Sequence, residues 1–173
     1  MDANDFAEII TSEIQLSLSP HGFQRYDRTF IADHQEVIFL VSLEKQSNSR
    51  KDRLVFSLNV SVNSKALSNF TREKAGLPPL KLNDYRWYSG HWRRNIANAL
   101  GDTQGMKLWQ VETEQQAFEA SREIVKLLQS WGLPYLESLS STAKIIAFLR
   151  DGGIESVADP PSQQCLNILS NPI

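Results

Sequence analysis

The sequence has a single cysteine, Cys165, and only three histidines, His21, His34 and His91. One cysteine excludes an intramolecular disulfide and a cysteine-based zinc site. No histidine has a second ligand at helical spacing, so each is expected at a turn or on the surface. We therefore expect no metal site and no cofactor.

Long apolar runs are also absent. No stretch approaches the roughly 20 apolar residues of a membrane-spanning helix, so we expect no membrane partner. The start of the chain, MDANDFAEII, is acidic and lacks the basic start and apolar core of a secretory signal peptide. The expected location is the cytoplasm.

Catalytic motifs are missing too. There is no Gly-x-Ser-x-Gly element and no glycine-rich phosphate loop after a predicted strand. Gly152-Gly153 follow a predicted helix and fit its end, while Cys165 lies in an apolar helical stripe. Glu112 and Glu114 fit the start of a helix. We name no catalytic residue and expect no enzyme; a hydrolase is the remaining enzymatic alternative.

Charge is distributed unevenly, although the net charge is only −2. Residues 1–36 carry two basic and seven acidic groups, residues 37–107 twelve basic and five acidic, and residues 108–173 four basic and eight acidic. The middle of the chain is therefore basic and both flanks are acidic. Either these charges intermix when the segments pack, or the middle forms a basic surface for an acidic partner.

A β-hairpin over residues 36–63 is the clearest predicted element. Its first arm, EVIFLVSLEK, contains an unbroken apolar run, which is typical of a central strand covered on both faces. The polar stretch Gln46 to Asp52 predicts an exposed loop. The second arm alternates, which predicts one apolar and one mostly polar face. The apolar face comprises Leu54, Phe56, Leu58, Val60 and Val62, and the other face comprises Val55, Ser57, Asn59, Ser61 and Asn63.

Two elements are predicted before the hairpin. Apolar residues at three- and four-residue spacing predict an amphipathic helix over Asn4 to Leu18, capped by Asn4 or Asp2. Phe23 to Ile31 predicts a strand with a bulge near Asp27. This strand and the hairpin together predict a meander of three antiparallel strands.

After the hairpin, residues 64–84 predict a long connection with a helical turn around Thr71 to Ala75. Leu108 to Val111 predicts a short strand. A capping box of Thr113 and Gln116 begins a long helix that Gly132 and Pro134 end. The predicted buried stripe of that helix is Phe118, Ser121, Val125, Leu128 and Trp131.

Two more helices are predicted towards the C-terminus. The first covers Leu136 to Arg150, and the second begins at Asp159-Pro160-Pro161. The predicted buried side of the first is Leu139, Ala143, Ile146 and Leu149. The whole chain, residues 1–173, is expected to form a single α+β domain. Its antiparallel sheet of four or five strands packs against an N-terminal helix and C-terminal helices, with residues 141–173 as a C-terminal helical extension.

The segment from Tyr85 to Arg94, the aromatic segment hereafter, has an unusual composition, with four aromatic residues and three arginines in ten positions. It supports three interpretations: core filling, a protein interface rich in Trp, Tyr and Arg, or stacking and phosphate contacts with nucleic acid. The net charge and a pI of about 5.9 make nucleic acid the less favoured partner. The candidate partner-binding residues are Tyr85, Arg86, Trp87, Tyr88, His91, Trp92, Arg93 and Arg94.

The polar face of the second hairpin arm is a second candidate surface. Ser57, Asn59, Ser61 and Asn63 have the small polar side chains that suit the floor of a ligand or partner site. The simpler interpretation is a sheet face open to solvent, since antiparallel sheets commonly leave one face exposed.

The order of these motifs resembles the bacterial domain-of-unknown-function 4304 family over roughly residues 3–140. Leu18 to Phe30 provides a Leu-x-Pro-x-Gly-Phe start and a later Thr-Phe, and Val37 to Ser47 provides an apolar strand ending in Glu-Lys-Gln-Ser. The arginine pair after Trp92 and the tryptophan at Trp109 also fit. The chain departs from the family pattern at Glu44, where glutamine is expected, and at Gln110, where a second tryptophan is expected.

The resemblance implies an α+β domain with no established activity. By analogy, small bacterial domains of this kind occur as immunity or accessory proteins of toxin systems. The expected function is a non-catalytic protein-interaction module with a protein partner. The alternative is a nucleic-acid-binding protein that uses residues 85–94.

Overall fold

The computed structural model describes residues 1–102, 105–151 and 162–170. Six strands form one antiparallel sheet in which the first five follow in chain order and the sixth pairs with the fourth. The strands are β1 (Gln24–Tyr26), β2 (Thr29–Asp33), β3 (Val37–Lys45), β4 (Leu54–Ser64), β5 (Trp92–Asn95) and β6 (Trp109–Val111). The α-helices are α1 (Ala3–Leu18), α2 (Lys65–Lys74), α3 (Glu114–Leu127), α4 (Leu133–Ser138), α5 (Thr142–Arg150) and α6 (Ser162–Ser170).

The predicted hairpin is confirmed as β3 and β4, paired from Val37 opposite Ser64 to Lys45 opposite Phe56. The other edge of β4 is shared, because β5 pairs with Asn59 to Val62 and β6 pairs with Leu54 to Phe56. β4 therefore has a strand on both sides. This explains how the longest strand buries nearly every residue.

One face of the sheet packs against the helices, as predicted for an α+β fold. The five alternating apolar residues of β4 belong to one core together with Ile10 and Ile14 of α1 and Ile124 of α3. Cys165 and Leu169 of α6 lie in the same core. The helix positions follow from periodicity, since three- and four-residue spacing places α1's apolar residues on its sheet-facing side. Asp2 caps α1 by accepting hydrogen bonds from the backbone N–H groups of Asn4 and Asp5.

The strand predicted over Phe23 to Ile31 is instead a short hairpin of β1 and β2. Asp27 adopts a positive φ of 55°, and Arg25 Nε donates a hydrogen bond to its carbonyl oxygen over 2.7 Å. Aspartate tolerates this left-handed conformation better than most residues. The irregular apolar pattern here therefore marks a tight turn, not a bulge.

The connection after β4 is more regular than the predicted single helical turn. Ser64 accepts a hydrogen bond from the Leu67 backbone N–H and caps α2, which covers Lys65–Lys74. Only Leu67 and Ser68 of this helix are buried. The apolar stripe is too narrow to give the sequence a clear helical period.

The helix beginning at Thr113 does not end at Gly132 and Pro134. A π-helical turn, Leu128–Gly132, joins α3 to α4, with Pro134 in the first turn of α4. Proline has no backbone N–H to donate, and Pro134 directly follows the π-helical turn, where the regular α-helical hydrogen bonding is already interrupted. The Thr113 cap is confirmed, but Gln116 reaches back to the backbone N–H of Glu112 over 2.8 Å.

The predicted buried stripes of the C-terminal helices are partly wrong. In α3 the fully buried residues include Ala117, Ala120 and Ile124, whereas Phe118 and Val125 are only partly buried. Ala117 and Ala120 have small side chains, so a pattern built on large apolar residues does not reveal this buried face. Leu136 to Arg150 is divided between α4 and α5, and Ser141 caps α5 by accepting from Lys144 N over 3.3 Å.

The buried residues of α5 are Ile145 and Leu149. Its predicted Ala143 is exposed and its predicted Ile146 is only partly buried. The predicted turn at Gly152-Gly153 and the predicted helix start at Asp159-Pro160-Pro161 lie outside the described residues. Among the helices that the structure describes, none combines the length and apolar character needed to cross a membrane.

Candidate functional site

The aromatic segment crosses the second face of the sheet, opposite the helices, before it enters β5. Tyr85 is 5% exposed and packs with Ile31, Ile38 and Leu40, which form a second apolar cluster on this face. A 3₁₀ turn follows, in which the Ser89 backbone N–H donates to the Arg86 carbonyl oxygen over 2.7 Å. The segment is therefore fixed at its start by burial and in its middle by a closed turn.

The polar face of β4 holds this segment in place. Ser61 Oγ donates to the Trp87 carbonyl oxygen over 3.2 Å, and Asn63 Nδ2 donates to the Ser89 carbonyl oxygen. A side chain at Gly90 would clash with Ser61, so the close approach of the two backbones requires glycine. Covered carbonyl groups need donors, and these small polar side chains provide them.

The expectation of a solvent-exposed face on β4 is therefore wrong. Ser57, Ser61 and Asn63 are each 1% exposed. The two surfaces selected from the sequence, the polar face and the aromatic segment, largely cover each other. Only Asn59 of the predicted polar set remains partly open.

His91 is buried, in contrast to the turn or surface position expected for it. Its backbone N–H donates to the Val62 carbonyl oxygen over 2.8 Å, and its Nδ1 accepts from the Ser64 backbone N–H over 3.0 Å. Because Nδ1 accepts, the neutral ring carries its proton on Nε2. Burial, together with the nearby positive charge of Arg93, lowers the pKa of His91 to about 4.

This buried imidazole predicts a loss of stability in mild acid. The pKa of His91 rises from about 4 in the folded chain to its ordinary value of 6.5 on unfolding. The unfolded state then binds more protons, and the free energy of unfolding falls by about 3 kcal/mol as pH decreases from 6.5 to 4. Urea denaturation across this pH range measures the effect.

His91→Asn provides the matched control, since an asparagine oxygen retains an acceptor for Ser64 N–H without a titrating group. This variant is expected to lose the His91 part of the pH dependence. A wild type and variant with parallel stability profiles between pH 4 and 6.5 would contradict the assignment.

Trp87 links the aromatic segment to both neighbouring strands. Its indole N–H donates a hydrogen bond to the Glu44 carboxylate on β3, and the Arg93 guanidinium of β5 lies 5.4 Å from its ring centroid. Burial raises the pKa of Glu44, against the opposing effects of the Trp87 hydrogen bond and the Arg28 charge. Sequence reasoning did not include Glu44 in this site, because it is far from Trp87 in the chain.

Arg93 and Arg94 point to opposite faces of the sheet, as expected for an extended strand. Arg93 is opposite Ser61 and faces Trp87. Arg94 is opposite Val60 on the helical side, where its charge acts on Tyr135, whose pKa burial raises to about 12. Both arginines are half-buried, so they do not form a continuous basic surface.

Trp92 is 1% exposed and belongs to the main core, so it serves the fold. The accessible part of the aromatic segment is consequently small. Tyr88 is 64% exposed and packs edge-on against Trp87, with ring centroids 6.2 Å apart. Arg86 is exposed, and its guanidinium donates to the carbonyl oxygens of Asn83 and Tyr85 over 2.7 and 2.8 Å.

The fold and this surface define an α+β domain that covers the second face of its sheet with its own aromatic segment. Over the described ranges, no three residues of the His, Cys, Asp and Glu types are grouped so that they could hold a metal ion. The chain belongs to the family described as Domain of unknown function (DUF4304), which matches residues 14–138. The resemblance seen in the sequence is thereby confirmed. No curated protein and no solved structure matches the chain.

Proposed function

We propose that this protein is a non-catalytic protein-interaction module of the bacterial cytoplasm, formed by residues 1–173 as a single domain. The proposed contact surface is the exposed part of the aromatic segment: Arg86, the partly exposed Trp87, and Tyr88. An immunity-like or accessory role is the biological setting that we propose for it.

The exposure of Tyr88 supports this proposal most directly. Tyr88 is 64% exposed, while the adjacent Trp87 is held by Glu44 and Ser61. A large side chain on a fixed backbone loses little conformational entropy on binding. Tyrosine, tryptophan and arginine are also the residue types enriched at interface hot spots.

The arrangement of the arginines favours a protein over nucleic acid. Of the three arginines in the segment, only Arg86 is exposed, and Arg93 and Arg94 lie on opposite faces. Phosphate binding needs several positive charges along one accessible track. A mobility-shift assay over a salt series distinguishes the two partner classes, because phosphate binding weakens steeply with salt.

Tyr88→Asp is the variant that tests the proposal. We expect it to lower the amount of bound partner captured from the native host by about tenfold or more, since hot-spot substitutions cost about 2 kcal/mol or more. The melting temperature should stay near that of the wild type, because the side chain is mostly exposed.

Leu100→Asp is the matched control, because Leu100 is 58% exposed and lies outside the aromatic segment. This control should capture the same proteins as the wild type. Identical capture by the wild type and Tyr88→Asp would show that the aromatic segment is not the contact surface.

A further inference from the structure

A groove separates α1 from α3 on the outer side of the helical layer. Its volume is about 610 Å³, and its apolar surface includes Ile9 of α1 and Phe118 of α3. Both side chains are only partly buried, although the same two helices bury Ile10 and Ile124 completely. The groove thus leaves an aliphatic and an aromatic group open between two packed helices.

The charged side chains that line this groove are all carboxylates. They are Asp5, Glu8, Glu13 and Glu114. α1 contains no lysine or arginine, so one wall of the groove has a single charge sign along its whole length. The acidic flanks of the sequence therefore meet here, and their charge is not fully mixed with that of the basic middle.

Two of these carboxylates already have partners. Glu8 pairs with Arg25 over 2.6 Å, and Asp5 accepts a hydrogen bond from the Asp2 backbone N–H over 2.6 Å. Glu13 and Glu114 take part in no ion pair with the residues that the structure describes. These two charges border the open apolar surface from opposite helices.

From this juxtaposition we propose that the groove between α1 and α3 docks a basic amphipathic segment of a partner protein. Apolar side chains of that segment contact Ile9 and Phe118, and its lysines or arginines face Glu13 and Glu114. Charge complementarity selects such a partner, while the apolar contact supplies the area buried on binding. The groove lies across the sheet from Tyr88, so this docking site is independent of the one proposed there.

The probe is a synthetic helical peptide with leucine on one face and lysine on the other. Two control peptides replace every leucine with serine or every lysine with glutamate. Each peptide is titrated into the isotope-labelled full chain while amide chemical shifts are followed. We expect the leucine–lysine peptide alone to bind, with the largest shifts in α1 and α3.

The double variant Glu13→Lys, Glu114→Gln tests the two carboxylates that border the groove. It makes the net charge more positive by three. Glu73→Lys with Asp151→Asn makes the same net change at exposed sites outside the groove. We expect about a tenfold loss of peptide affinity in the groove variant and little change in the control. The melting temperatures of both variants verify that they fold.

Several results would overturn the proposal. Equal binding of the leucine–lysine and serine–lysine peptides would show attraction by charge alone, and equal losses in both protein variants would show a diffuse effect. Absence of shifts in α1 and α3 would exclude the groove. A self-association that Phe118→Ala abolishes would assign the groove to a second copy of this chain.

Discussion

Replacing Trp92 with alanine is expected to lower the free energy of unfolding by about 3–5 kcal/mol. The side chain is 1% exposed and packs in the main core on the helical side of β5. Its removal leaves a large cavity next to β4, which is too well packed on both edges to collapse into it. Equilibrium denaturation in urea measures the loss.

Tyr88→Ala is the control from the same segment. Tyr88 is 64% exposed, so its truncation should change stability by no more than about 0.5 kcal/mol. The pair separates the part of the aromatic segment that serves the fold from the part available to a partner. A small effect at Trp92, or a large one at Tyr88, would mean that the segment is placed incorrectly on the sheet.

Phe56→Ala is expected to have an effect of the same size, about 3–5 kcal/mol. Phe56 is fully buried on the helical side of β4 and stacks on Trp109 of β6, with ring centroids 5.4 Å apart. The substitution removes both the aromatic contact and the surface on which β6 rests. Loss of the stacked pair should also change the near-ultraviolet circular dichroism of the chain.

Ser57→Ala is the neighbouring comparison on the opposite face. The sequence predicts a solvent-exposed position and almost no cost, but Ser57 is 1% exposed and its hydroxyl lies 3.3 Å from Gln46 Nε2. The expected cost is therefore about 0.5–1.5 kcal/mol, that of a part-buried hydrogen bond. Equal effects at Phe56 and Ser57 would contradict the assignment of the two faces.

The two candidate surfaces predicted from the sequence, the polar face of β4 and the aromatic segment, pack against each other in the structure. Ser61 and Asn63 have the small polar side chains expected of a binding surface. In the structure they donate hydrogen bonds to the backbone of residues 87–89 of the same chain. The part of the aromatic segment that stays exposed is consequently narrow and includes Tyr88. The aromatic residues of the 85–94 segment also complete the core. Trp92 packs in the cluster on the helical face of the sheet, and Tyr85 packs in the cluster on the opposite face.

Several features were determined by the sequence alone. The alternation in β4 and the three- and four-residue spacing in α1 state which side chains face the core, because strand and helix periods are local properties of the backbone. The hairpin, the α+β class and the Thr113 helix start follow from such local patterns, and the structure confirms them.

Other features depended on contacts between distant segments. Burial of the polar face of β4 requires residues 85–90 to return over the sheet, and no local period describes that return. His91 is paired with Ser64, 27 residues earlier in the chain, and Trp87 is paired with Glu44 on β3. The groove between α1 and α3 likewise exists only because two helices that are far apart in the chain meet. Local periodicity determined the inward faces of β4 and α1, whereas long-range packing decided which other faces became buried and which stayed exposed.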